Sequence, residues 1–239
     1  MENDRKIGIV GGMGPAATWL FYRYVTEMTQ ASCDQDHVNM VILSDASMPD
    51  RTTAILNGKY EPVMKKMRED VQTLQNCGCT AIAVTCNTAH FFMEKVALES
   101  ELSFIHMPEE TAKKAVAQAG NGKIAILATR GTIQTGLYQK RLESLGGHPF
   151  VPSEEIEELI MSQIYDRIKK GLPGEPDTWK KIDHYLHEQN CSCAIMGCTE
   201  LSVVKEEQKM GSYYIDPMRV LAARVIEYSG RKIKSDYSE

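Results

Sequence analysis

No uninterrupted apolar run in the chain approaches the ~20 residues a bilayer-spanning helix needs, so a membrane span is not expected. Positive charge is not in excess either. There are 27 Lys and Arg against 32 Asp and Glu, a formal net charge of -5. Neutralising a phosphate backbone takes a basic face, which argues against nucleic acid as the main partner. A local pocket can still be positive, so anionic small molecules stay open. Glycine (17) and proline (9) are sparse and scattered, which excludes collagen-like and low-complexity chains. The first residues, Met-Glu-Asn-Asp-Arg-Lys, are too acidic for a signal-peptide n-region, and no apolar stretch with a cleavage site follows. With no such signal and an odd count of seven cysteines, a disulfide framework is not expected. A reducing cytoplasm is the natural home, where thiols are either packed or chemically used. What the sequence does have is ordinary globular composition, 43% hydrophobic and 25% charged over 239 residues. That is enough chain for one large domain or two small ones, each with a core.

The pattern alternates strand with helix. Lys6 to Val10 reads as a strand, Ala16 to Gln30 as a helix, and Asn39 to Leu43 as a strand. Tyr60 to Asn76 reads as a helix with Val63, Met67, Val71 and Leu74 on one face, and Ala81 to Thr85 as a strand. Such alternation predicts parallel sheets with helices on both faces. The pattern then restarts. KIAILA at Lys123 echoes KIGIVG at Lys6, 117 positions earlier. QNCSC at Gln189 echoes QNCGC at Gln75, and both lead into a strand closed by a cysteine, Cys86 and Cys198. Shared order with drifting spacing indicates a duplication. Two similar α/β domains are therefore expected, with the crossing near Phe104 to Glu110 and the return near Gly211 to Pro217. The boundaries drawn are 1–105 plus 213–239 for the N-terminal domain and 106–212 for the C-terminal domain. Ligands of open parallel sheets bind beyond the carboxyl ends of the strands, so Cys86 and Cys198 should face one another there.

Each strand-end thiol precedes an expected helix start, Asn87 to His90 for one and Thr199-Glu200 for the other. The positive end of a helix dipole would make such a thiol more acidic than the free value of about 8.5. Two buried structural cysteines are the plainer alternative, but a duplicated pair at matching strand ends favours function. The C-x-C pairs Cys77/Cys79 and Cys191/Cys193 are read as packing residues, because structural zinc sites prefer C-x₂₋₄-C spacing. Cys33 is read as structural or as a loop thiol.

The glycine-rich turn Gly11 to Pro15 is suited to presenting amides to an anion. It lacks the G-x-G-x-x-G of a dinucleotide site. Thr129 to Thr132 occupies the matching turn of the second half, with Arg130 either gripping a carboxylate or facing solvent. Arg51 could clamp a carboxylate in a bidentate manner or simply pair with Asp50. An expected helix from Ser153 ends at Lys170, where lysines are common for dipole reasons. His90 is read as a satisfied structural histidine or a hydrogen-bond partner of the site.

Together, IGIVGGMGPAAT (Ile7 to Thr18), MPDRT (Met48 to Thr52), TCNTAH (Thr85 to His90), IYDRIKKG (Ile164 to Gly171) and GCTEL (Gly197 to Leu201) resemble the aspartate/glutamate racemase family, within the Asp/Glu/hydantoin racemase superfamily. The resemblance spans nearly the whole chain. It implies two α/β domains about a pseudo-twofold axis, with the active site in the interdomain cleft, and commonly a homodimer. It implies racemisation of an acidic amino acid by two cysteines, without pyridoxal phosphate or another cofactor, and no metal site. On this alignment Cys86 and Cys198 match the catalytic pair. Asn87, Thr88 and Thr199 match residues lining the substrate α-carboxylate and amino group. Arg51 matches the arginine that binds substrate carboxylate, Lys169 (or Lys170, one residue on) matches the lysine of the I-Y-x-x-I-K helix, and Met13 and Thr132 match further pocket positions. Two alternatives stand beside this reading. One is a sister enzyme of the maleate isomerase or arylmalonate decarboxylase type. The other is a non-catalytic carboxylate-binding or redox-sensing protein.

Overall fold

The computed structural model describes residues 5–237. The first half runs β1 (Ile7–Gly11), α1 (Pro15–Met28), β2 (Met40–Ser44), α2 (Arg51–Leu56), α3 (Glu61–Asn76), β3 (Ala81–Val84), α4 (His90–Ala97) and β4 (Ser103–Ile105). The second runs α5 (Met107–Ala119), β5 (Lys123–Ala128), α6 (Arg130–Thr135), α7 (Gln139–Ser144), β6 (His148–Phe150), α8 (Glu154–Ser162), α9 (Pro176–Glu188), β7 (Cys191–Gly197), α10 (Thr199–Glu207) and β8 (Tyr214–Ile215). Helix α11 (Pro217–Tyr228) follows.

The strands form two four-stranded sheets, β2-β1-β3-β4 and β6-β5-β7-β8, parallel throughout. The orders are the same under the exchange of β1 with β5 and β3 with β7. The echoed sequences therefore occupy equivalent places, and Cys86 and Cys198 follow equivalent central strands. Ile7 sits beside Met40 and Ala81 in one register, and Lys123 sits beside His148 and Cys191 in the other. Strands β1 and β3 are buried along their whole length, as expected of parallel strands covered on both faces. On one side of the first sheet Ile7 and Ile9 meet Phe21 and Tyr24 of α1 and Leu221 and Val225 of α11. On the other, Val10, Ile82 and Val84 meet Met67 and Leu74 of α3 and Phe92 of α4. The second sheet is sandwiched in the same way by α8, α9 and α10 on one face and α5 and α7 on the other.

Several local expectations are adjusted. The first crossing is not a loop. β4 ends at Ile105 and α5 starts two residues later, with the His106 ring accepting the Glu109 amide at 3.1 Å and Pro108 in the first turn, where a missing N–H costs nothing. The return is not purely a linker, since Tyr214–Ile215 pairs with β7. By strand pairing a division would fall after Ile215 rather than between 212 and 213. The expected helix to Lys170 is α8 followed by a π-helical turn over Gln163–Arg167 and a 3₁₀ turn over Ile168–Lys170.

One buried charge stands out in the first half. Asp70 of α3 is buried and its Oδ2 has no hydrogen-bond partner among the described residues. Burial, with Asp45 alongside, pushes its carboxyl up to about 6. The folded value lies above the unfolded one, so the protein loses stability as pH rises through 6. Replacing Asp70 by Asn is expected to add about 2 kcal/mol of stability at pH 8, a rise of roughly 5 °C in Tm. The gain should fade as pH is lowered towards 4. Thermal denaturation of both proteins at the two pH values checks this. A variant less stable at pH 8 would contradict it.

Candidate active site

The site is built where the strand ends of the two sheets converge. Gly12 follows β1 with φ +85°, and a Cβ there would lie 2.4 Å from the Asp45 carbonyl carbon, so only glycine makes this turn. The Gly12 amide donates to Thr18 Oγ1 at 2.9 Å, and Thr18 meets Thr85 at 3.1 Å, tying the glycine turn to the end of β3. Asp50 caps α2 by accepting the Thr53 amide at 2.7 Å. The next residue, Arg51, is thereby directed inwards. It is 7% exposed, and it donates to the carbonyls of Met48 (3.1 Å), Pro49 (2.9 Å) and Met13 (3.5 Å). Burial works against its charge, but the Cys86 sulfur and the Asp50 and Glu200 carboxylates outweigh that and raise its pKa. The plain Asp50–Arg51 surface pair is therefore not what forms.

Cys86 and Cys198 are both 6% exposed and free, as are the other five cysteines. Cys198 is the N-cap of α10 in extended conformation. Its Sγ donates to Glu200 Oε2 at 2.9 Å, and Lys169 Nζ lies 2.9 Å from Glu200 Oε1. The expected lowering of its pKa does not occur. Burial and the Glu200 charge push the Cys198 thiol well up, against the pull of Lys169, so desolvation and a neighbouring carboxylate outweigh the helix dipole. Cys86 does not open a helix. Residues 87–89 form a turn and α4 starts only at His90. His90 is wholly buried and its Nδ1 lies 2.9 Å from the Cys86 carbonyl, so it braces this turn from behind.

The remaining residues named from the sequence fall into the same region. Thr88, Thr132, Thr129 and Thr52 share a chain of hydroxyl contacts of 2.8 to 3.2 Å, joining the first half to the N-terminus of α6. The two halves approach so closely here that a Cβ on Gly131 would lie 2.9 Å from Thr52 Cα. Met13 and Thr199 are buried, with Thr199 Oγ1 3.4 Å from Glu200 Oε2. Lys169 faces the cluster, its pKa raised because Glu200 and Cys198 outweigh burial. Lys170 instead pairs with Asp166 at the surface. Arg130 also points away, to Glu157 and Glu158. Cys79, Cys191 and Cys193 are buried, with pKa values raised by burial. Among the described residues no group of three or more His, Cys, Asp and Glu side chains is placed to hold a metal. No helix there is long and apolar enough to cross a membrane.

Sequence reasoning assigned no role to Glu200, nor to two tyrosines. Tyr165 lies in the π-helical turn, a feature common at functional sites. Its hydroxyl donates to Asp50 Oδ2 at 3.4 Å and its ring lies 5.3 Å from Lys169 Nζ. Burial pushes this hydroxyl up to about 12. Tyr138, at the start of α7, donates to Asn87 Oδ1. Within the site, Asn87 Nδ2 and Arg51 Nε are buried donors with no partner among the described residues. Unsatisfied buried donors are rare, and in a cleft they mark where an acceptor on a ligand belongs.

This arrangement can be set beside known proteins. Residues 10–225 match the family model described as Asp/Glu/Hydantoin racemase. The chain belongs to that family. It is 28% identical to a broad-specificity amino-acid racemase of Bacillus subtilis (strain 168), over 92% of this chain and 96% of that one. Among solved structures it is similar to the aspartate racemase of Picrophilus torridus, with a TM-score of 0.80 and 27% identity over 98% of this chain and 97% of that one. An aspartate racemase homologue of Pyrococcus horikoshii OT3, at 22% identity, shares the fold with a TM-score of 0.73 over 95% of this chain and 99% of that one.

After burial, Glu200 is the group that most favours a protonated Cys198, and its removal should show in the thiol. In Glu200→Gln the carboxylate no longer opposes the thiolate, while Lys169 still favours it. Iodoacetamide at pH 7.5 is expected to label Cys198 several-fold faster than in the wild type, read by peptide mass spectrometry. An unchanged or slower rate would mean that Glu200 does not control this thiol.

Proposed function

We propose that the protein is an amino-acid racemase that interconverts the L and D forms of aspartate, glutamate or both, working without pyridoxal phosphate through Cys86 and Cys198. The observation that carries the proposal is that thiols at equivalent strand ends of two like sheets are buried in one charged cluster. Lys169 feels both sulfurs, and Arg51 feels Cys86 together with the Glu200 that holds Cys198.

Racemisation removes a proton from one face of Cα and returns one to the other. One base cannot reach both faces of a held substrate, whereas two thiols on opposite walls can, one as thiolate and one as thiol. With Cys198 as thiolate and Cys86 as thiol, Cys198 receives the proton of the L form while Cys86 gives one to the opposite face. The D form runs the same steps with the roles exchanged. The α-proton is weakly acidic, so fixed donors must stabilise the charge that develops on the carboxylate. Arg51, Asn87 and the threonine hydroxyls supply them. Because the thiols and Arg51 are buried, the two halves must part to admit substrate and close to exclude water. An arginine and a lysine in one cleft fit a substrate with two carboxylates, and the aspartate racemase among the similar structures agrees with this. Seven free thiols suit a reducing compartment, and a homodimer is carried over from the resemblance.

The test is chiral separation of products from L-aspartate, L-glutamate and a panel of neutral L-amino acids, with EDTA-treated protein free of pyridoxal phosphate. D-Aspartate or D-glutamate should accumulate towards an equal mixture. Conversion of neutral amino acids alone would overturn the substrate assignment, and no conversion of any would overturn the activity.

A further inference from the structure

Tyr138 is wholly buried and lies in the second half of the chain, yet its hydroxyl donates to the Asn87 side chain of the first half. Its ring packs towards the other thiol. A Cβ built on Gly197, the residue before Cys198, would lie 3.3 Å from Tyr138 Cε2. One side chain thus bonds the neighbour of Cys86 and closes the space beside the neighbour of Cys198. One turn further along α7, Arg141 pairs with Glu94 of α4, so α7 grips the first half twice.

The chemistry lies in the amide of Asn87. An amide has an acceptor end and a donor end, and the two are nearly equal in shape. With the tyrosine proton directed at Oδ1, Nδ2 is turned away from Tyr138, and it is a buried donor with no partner among the described residues. Turned end for end, the same amide would present a carbonyl oxygen to a carboxylate, which repels. Burial keeps the Tyr138 hydroxyl protonated by raising its pKa, so it remains a donor. The threonine hydroxyls nearby can reorient to suit a ligand, whereas this amide is fixed from behind.

Resting on the racemase reading, we infer that Tyr138 is a positioning residue that acts through Asn87, holding the Asn87 NH₂ towards the substrate carboxylate when the two halves are closed. The half that carries Cys198 thereby completes the binding face beside Cys86.

The test is a double-mutant cycle of Tyr138→Phe and Asn87→Ala, reading kcat and KM for L-aspartate and L-glutamate. Tyr138→Phe alone should raise KM about tenfold, the scale of one buried hydrogen bond, with a smaller change in kcat. In the Asn87→Ala background it should change KM less than twofold. A purely structural tyrosine would lower activity equally in both backgrounds, and that result overturns the inference, as does an unchanged KM in Tyr138→Phe. The ¹⁵N–¹H signals of the Asn87 side-chain amide, assigned by their loss in Asn87→Ala, give a readout independent of turnover. They should shift in Tyr138→Phe. Unshifted signals overturn the inference whatever the substrate, while a wild type that racemises nothing overturns the racemase reading and leaves these signals to decide the contact.

Discussion

Changing Cys198 to alanine is expected to lower racemisation by at least about 10³-fold, the scale of losing a positioned acid–base group. Cys86→Ala should do the same. The two variants should differ in what survives. A single remaining thiol can still remove a proton and return one to the same face, giving exchange with solvent without inversion. On the proposed mechanism Cys198 takes the proton of the L form and Cys86 that of the D form. Cys86→Ala is therefore expected to retain exchange on the L-amino acid and Cys198→Ala on the D-amino acid. The folds should be intact, since both positions are small thiols that alanine replaces with little loss of packing. Loss of activity from only one variant would leave a one-base enzyme, which the duplicated geometry does not support.

Arg51→Ala is expected to lower kcat/KM for acidic amino acids by about 10²- to 10³-fold, the cost of deleting one member of a buried charge network. The side chain satisfies three carbonyls, sits against Cys86 and balances Asp50 and Glu200. Arg51→Lys keeps the charge without the planar fork and should recover only a small part of the loss. Comparing L-aspartate with L-alanine in both variants separates the two roles of the arginine. A loss confined to aspartate places Arg51 on the side-chain carboxylate. A loss on both places it on the α-carboxylate or on Cys86. No loss on either would remove Arg51 from the site.

The strands that organise this cleft were legible in the sequence because buried parallel strands are short apolar runs and the echoes fixed their order. β1, β3 and β5 fall within a residue of their expected ends. The short edge strands β4, β6 and β8 were not read. Two or three residues such as Ser103–Ile105 or Tyr214–Ile215 carry no periodicity, and only pairing with a neighbour defines them. The thiols, Arg51 and Lys169 were legible as motifs. Their electrostatics were not, because a helix start suggests an acidic thiol while only the fold shows that Glu200 lies 2.9 Å from Cys198 Sγ. Tyr138 was out of reach for the same reason. Nothing in its neighbouring residues announces a contact with Asn87, 51 positions away. The π-helical turn that brings Tyr165 and Lys169 to one side has no sequence signature that distinguishes it from the end of α8.

The account rests on two thiols sharing one reaction, and proton NMR of Cα exchange in D₂O tests that most directly. L- and D-aspartate and L- and D-glutamate would each be followed with the wild type, the two single alanine variants and the double variant. The wild type should wash out the α-proton and form the opposite enantiomer. Each single variant should wash out the proton of one enantiomer only and invert neither, and the double variant should do neither. Inversion by the double variant, or by either single variant at a rate near the wild type's, would contradict the two-thiol mechanism.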